Sequence, residues 1–310
     1  MRQRAQLGFS LLAILAAGMT LSAAWPAVIP STDADQDDGK RSDTPLNAQQ
    51  IRILVDRAIE NQRHNDLLLE QYGRTEHSLA RGTSKEPDKE TICRVIPAGS
   101  SIVRVELEHN GKVSDTAYLD QQWHSVAQAL LAQARGREFH GDAAFERERH
   151  NHERADMVSA IGKAFVFRWA GRATINGRTV VKLTFEPDPA YRSSARFAAV
   201  YAHSRGVAWV DESSAQLMRA EAQLNDDVSW GGGLIAKLYR GGQFTYEQRE
   251  ASPGVWLPSQ YSYDFDGRKF LFTLSLHQRM EYTDYLRLGP PEEALAVIRR
   301  EHPAVFSNLN

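Results

Sequence analysis

Cysteine is almost absent from this chain: Cys93 stands alone among 310 residues. No intrachain disulfide can form, and a lone thiol in an oxidising compartment reads as a buried, inert small hydrophobe. Acidic residues are missing from the start, the first being Asp33, while Arg2 and Arg4 make a short positive beginning. Long apolar runs are scarce too. Leu7 to Leu21 is such a run, but its length of about 15 residues is short of the roughly 20 that span a bilayer core. Ser22-Ala23-Ala24 then offers small residues suited to cleavage, so residues 1–24 are expected to be a signal peptide. No cysteine follows that run as a lipidation site, and an exported, periplasmic protein is the expectation.

A concentrated basic charge is also lacking. The chain has 37 basic and 39 acidic residues, and loss of Arg2 and Arg4 would make it more acidic by two charges. That excludes the basic face of a nucleic-acid binder. Catalytic signatures are missing as well: there is no Gly-x-Ser-x-Gly elbow and no His-Glu-x-x-His pair. Ser229-Trp230-Gly231-Gly232-Gly233 lacks the Lys-Ser/Thr continuation of a phosphate loop and reads as a flexible turn. His140, His150 and His152 lie near Asp142, Glu146, Glu148 and Glu153, but His150 and His152 would diverge on a helix. A solvated charged face is expected there, with no metal and no cofactor.

What is present is periodicity. Residues 25–46 read as a tether, its run from Ser31 to Lys40 polar, charged and without aromatics. Ile51, Leu54, Val55, Ala58 and Ile59 then make one helical stripe, with Asn47 and Gln50 as a capping pair. Val103, Val105 and Leu107 alternate with charged residues before an Asn110-Gly111 turn, and helical spacing returns from Tyr118 to Ala134. Beyond it the pattern is nearly all strand. Phe165, Phe167 and Trp169 share a face, Asn176-Gly177 turns the chain, and Val181, Leu183 and Phe185 return. Val207 and Trp209, then Phe244 and Tyr246, then Trp256 mark further strands. Asp266-Gly267 reads as the last hairpin turn, followed by Phe270, Phe272, Leu274, Leu276, Met280 and Tyr282 on one parity. Pro291, the acidic pair Glu292-Glu293 and Arg299-Arg300 fit a terminal helix, its dipole matched at both ends.

Successive hairpins with one apolar face predict a mainly β, α+β fold: an antiparallel meander covered by a few helices. An open half-barrel, a closed barrel and a sandwich all satisfy that pattern. Phe165-Val166-Phe167-Arg168-Trp169, Ile175-Asn176-Gly177-Arg178 and Leu183-Thr184-Phe185-Glu186-Pro187 resemble central strands of the LolA/LolB-like superfamily, its outer-membrane lipoprotein-sorting-protein-like members above all. Gly206 to Asp211 with Leu217 to Glu221, and Gly254 to Pro258, are similar to that group's strands as well. The resemblance spans residues 47–288 and implies a curved half-barrel with a helical lid over an apolar cavity, leaving 289–310 as a helical tail. The acidic tether, that tail and the charged run from Glu146 to Glu153 depart from it.

The resemblance further implies a carrier without enzymatic activity, whose cargo is a lipid or acylated lipoprotein exchanged with a membrane-associated donor or acceptor protein. The expected apolar lining is Phe165, Phe167, Trp169, Leu183, Phe185, Trp209, Phe244, Phe270, Phe272 and Leu274. An envelope scaffold with a filled core, and an unrecognised hydrolase or metal enzyme, are the competing readings.

Overall fold

The structure, a computed structural model, describes residues 44–82, 87–99, 101–136 and 142–306. The expected signal peptide and nearly all of the tether lie outside them, as do His140 and the side chains of Asp142, Glu146, Glu148 and His150.

Helix α1 (Ala48–Leu69) begins as the sequence predicts. Gln50 N–H donates to Asn47 Oδ1 and Asn47 N–H donates to Gln50 Oε1, both at 2.9 Å, closing a capping box. Strands β1 (Tyr72–Ala80), β2 (Lys89–Ala98), β3 (Ser101–His109) and β4 (Lys112–Val113) follow. The β3–β4 turn uses Asn110 and Gly111, both with positive φ. Next come α2 (Thr116–Ala134), α3 (Asp142–Ala164), β5 (Phe165–Ile175) and β6 (Arg178–Pro187). After them lie α4 (Arg196–Tyr201), β7 (Ser204–Asp211), β8 (Leu217–Leu224) and β9 (Val228–Trp230). A glycine turn, Gly231–Gly233, leads to β10 (Ala236–Leu238), β11 (Gln243–Ser252), β12 (Val255–Lys269) and β13 (Phe272–Arg287). The chain closes with α5 (Pro291–Glu301) and α6 (Pro303–Phe306). No helix of the described residues is long and apolar enough to cross a membrane.

The strands form one open antiparallel sheet in the order β4-β3-β2-β1-β13-β12-β11-β8-β7-β6-β5, with β9 and β10 attached beside β12. The chain's first long strand therefore sits beside its last. Directly paired residues share a face of the sheet. One row runs Trp169, Leu183, Ala208, Ala220, Tyr246, Tyr261, Met280 and Ser78. The neighbouring row runs Lys182, Trp209, Arg219, Glu247, Gln260, Glu281 and His77, a polar, ion-paired surface.

The first row belongs to the inner face, on which α1 lies. Ile51, Leu54 and Val55 pack there against Val181, Leu183 and Val210. Each such fully buried aliphatic contributes about 1.5–3 kcal/mol. At the β2–β3 end the opposite face is covered. Ile96, Ala98 and Val105 pack against Trp123, Val126 and Leu130 of α2 and Ala294 and Ile298 of α5. The helices thus cover both faces instead of forming a single lid. The expected terminal helix exists, with Pro291 in its first turn and its charges at the matching ends.

One expected turn is misplaced. Asp266 and Gly267 lie inside β12, and the hairpin turns at Phe270-Leu271 instead. Gly267 is needed for a different reason: a Cβ there would stand 2.2 Å from the Lys237 carbonyl oxygen of β10. Its lack of a side chain permits close backbone approach in mid-strand.

Candidate functional site

The inner face is divided along α1. The apolar half of the helix, up to Ile59, covers β5 to β8. The same helical stripe then continues with Asn61, Gln62, Asn65 and Asp66, and the face beneath becomes polar. Asn61 Nδ2 donates to the Ser214 and Ala215 carbonyls at 2.9 Å, and Asn65 Nδ2 donates to Gln216 Oε1 at 2.8 Å. Gln62 Nε2 donates to Asp66 Oδ1 and to the Tyr246 hydroxyl, which donates onward to Gln248 Oε1 at 3.1 Å. Gln62 Oε1, Asn65 Oδ1 and Gln248 Nε2 are buried without a hydrogen-bond partner. Such groups cost about 1–3 kcal/mol each.

Arg154 reaches this region from α3 and clasps Asp66 with two nitrogens, at 2.6 and 2.9 Å. Burial works against its charge, but Asp66 outweighs that and holds the guanidinium pKa above its ordinary value. Farther along, Arg74 donates to Glu76 at 2.7 Å and Arg104 to the other carboxylate oxygen at 2.9 Å. Burial would raise the Glu76 pKa, yet the two arginines bring it below the ordinary carboxylate value. Tyr246, Tyr261 and Tyr282 are held protonated chiefly by burial. Cys93, paired across from Glu76, has its thiol pushed up to about 11, mainly by burial and then by Glu106. That thiol is a poor nucleophile. This half of the face is a satisfied ion-pair network with a few unmet amides.

The expected lining residues do not form one wall. Phe165, Phe167 and Phe185 cluster with Tyr201, their ring centroids 5.0 to 6.4 Å apart. Trp169 and Leu183 lie beside them under α1. Phe244 and Leu274 belong to a separate cluster with Tyr263 and Phe265. Trp209 is on the outer face, between Lys182 and Arg219, whose cationic groups each lie 5.4 Å from its ring. Phe270 and Phe272 stand exposed at the β12–β13 turn. The structure therefore gathers five of the ten expected residues and parts the others from them.

An open cleft of about 510 Å³ adjoins the phenylalanine cluster. Ala164, Ala198, Ala202 and Trp230 give it mainly apolar walls, with Arg192 and Arg196 among them. Phe165 follows Ala164 directly and packs on Tyr201 of α4, the helix that also supplies Ala198 to the cleft. Arg192 donates to the Pro189 and Tyr191 carbonyls, which orders the loop at the cleft. The volume lies within the ~300–1,000 Å³ span of small-molecule sites. None of the ten expected residues lines it. Most of its lining comes from a loop and a short helix whose alanines carry no distinctive sequence signal.

No family model and no curated protein matches the chain. Solved structures similar to it include the following three. A DUF1329 family protein from Desulfovibrio piger aligns over 76% of this chain and 92% of its own, at 11% identity and a TM-score of 0.28. A putative outer membrane lipoprotein-sorting protein domain from Vibrio parahaemolyticus covers 79% of this chain and 100% of its own, at 10% identity and a TM-score of 0.29. A LolA superfamily protein from Nitrosomonas europaea covers 81% of this chain and 97% of its own, at 11% identity and a TM-score of 0.24.

Proposed function

We propose that this protein is a non-enzymatic carrier of the bacterial envelope, holding a lipid or the acyl chain of a lipoprotein in the cleft beside α4. The observation that carries the reading is that cleft: about 510 Å³, walled by alanines and Trp230, with two arginines among its lining. Each methylene moved from water into such walls gains about 0.8 kcal/mol. Arg192 and Arg196 suit the phosphate or carboxylate of a headgroup, since a guanidinium binds planar anions through paired N–H groups. The phenylalanine cluster of Phe165, Phe167 and Phe185 packs behind the cleft, against Tyr201 of α4, and does not line it. Export through the first 24 residues belongs to the same reading and makes the compartment periplasmic.

The test is native mass spectrometry with lipid extraction on protein purified from its own envelope. A co-purifying acyl species at fixed stoichiometry is expected. Ala202→Trp, placed at an exposed position on the cleft wall, should reduce that species at least tenfold while the fold persists. A clean apo mass with no uptake of added lipids would replace the carrier reading with a surface scaffold.

A further inference from the structure

Five apolar side chains project from one end of the sheet. Leu234 and Ile235 follow the glycine turn between β9 and β10 and are 79% and 53% exposed. Phe270, Leu271 and Phe272 form the β12–β13 turn and are 55%, 94% and 53% exposed. The two loops are held side by side. Phe270 N–H donates to the Ile235 carbonyl at 2.9 Å, and Ala236 pairs with Lys269. No described residue covers this double tip. Its exposure gains nothing from folding, and a contiguous apolar projection of this kind marks a contact surface.

The surrounding charge says what it contacts. Arg268 and Lys269 end β12 immediately before the tip. Arg196 is tied to the same end, its carbonyl accepting from Trp230 Nε1 at 3.4 Å. Arg196, Arg268 and Lys269 form no ion pair among the described residues. The nearby acids are engaged: Asp227 with Lys237 at 2.6 Å, and Asp266 with His277 at 3.2 Å and Ser275 at 2.9 Å. A basic collar around an apolar apex stands out on a chain whose net charge is −2. An apex exposed as fully as Leu271 suits a medium that yields around it, and a bilayer with anionic headgroups offers both the apolar interior and the opposite charge.

We propose that this double tip docks the protein on an anionic lipid surface. Leu234, Phe270, Leu271 and Phe272 enter the boundary of the acyl region, and Arg268 and Lys269 meet the headgroup phosphates. Trp230 begins the tip's glycine turn and also lines the cleft, so docking brings the cleft close to the same surface. The docking itself requires no cargo.

The experiment is flotation of the purified chain with vesicles of phosphatidylethanolamine and phosphatidylglycerol, beside vesicles of phosphatidylcholine alone. The wild type should float with the anionic vesicles, and less so as salt is raised. A Leu234→Ser/Leu271→Ser double variant removes only solvent-facing apolar groups, and its partitioning should fall at least tenfold with an unchanged circular dichroism spectrum. Arg268→Gln/Lys269→Gln should lose the preference for anionic vesicles. Absence of wild-type binding, or equal binding by the serine variant, would overturn the proposal. So would a tip-dependent dimer seen by light scattering without lipid, since the occupant would then be a second copy. Flotation reads the position of the protein and mass spectrometry reads its cargo, so failure of one is distinguishable from failure of the other.

Discussion

At the scale of single residues, Glu76 illustrates how burial and pairing compete. Its carboxylate lies on the inner face with almost no solvent access and receives both Arg74 and Arg104. Desolvation alone would favour the neutral acid, but the arginines outweigh it and lower the folded pKa. An unfolded glutamate titrates at ~4.3. The resulting stabilisation is complete above that pH and is lost as pH falls through the lower folded value. Glu76→Gln leaves Arg74 buried beside a neutral amide and should cost about 3–5 kcal/mol. Urea unfolding near neutral pH measures the loss, and the variant's melting temperature should fall less between pH 5 and pH 3 than that of the wild type.

At the scale of elements, glycines and helical stripes carry more than one meaning. Gly267 precedes no turn; it lets the β10 backbone cross close to β12. Gly267→Ala would press a methyl against the Lys237 carbonyl and should destabilise the chain by about 1–3 kcal/mol. Because β10 positions Leu234 and Ile235, the same variant should weaken vesicle binding even at temperatures where it stays folded, and flotation together with thermal melts checks both. Helix α1 teaches a related lesson. Its buried stripe changes from Ile51, Leu54 and Val55 to Gln62 and Asn65 without changing period. Polar residues at core spacing were the available sign that the face beneath them is polar.

Across the whole molecule, the two proposals assign ligand holding to the cleft and surface contact to the tip. Phe272 discriminates between them. It counted among the expected lining residues, yet it is 53% exposed at the tip. Phe272→Asp should therefore leave the amount of co-purifying acyl species unchanged while lowering vesicle binding several-fold. Loss of the acyl species in that folded variant would return Phe272 to the ligand site.

The local order of the chain was determined by the sequence alone. The capping pair at Asn47 and Gln50, the Asn-Gly turns at 110 and 176, and the alternation from Thr273 to Tyr282 each express a preference of a few neighbouring residues. Antiparallel sheet with a few helices followed from these. Which side chains meet was decided only in the tertiary structure. On β7 the small residues Gly206 and Ala208 face inward, and a Cβ on Gly206 would stand 1.9 Å from the Glu221 carbonyl oxygen and 2.6 Å from the Phe185 ring. The large Trp209 faces outward, where the Lys182 and Arg219 cations lie near its ring. Side-chain size alone reverses the two faces of that strand. The cleft beside α4 and the double tip join segments far apart in the chain, and no short-range pattern encodes a distance between them.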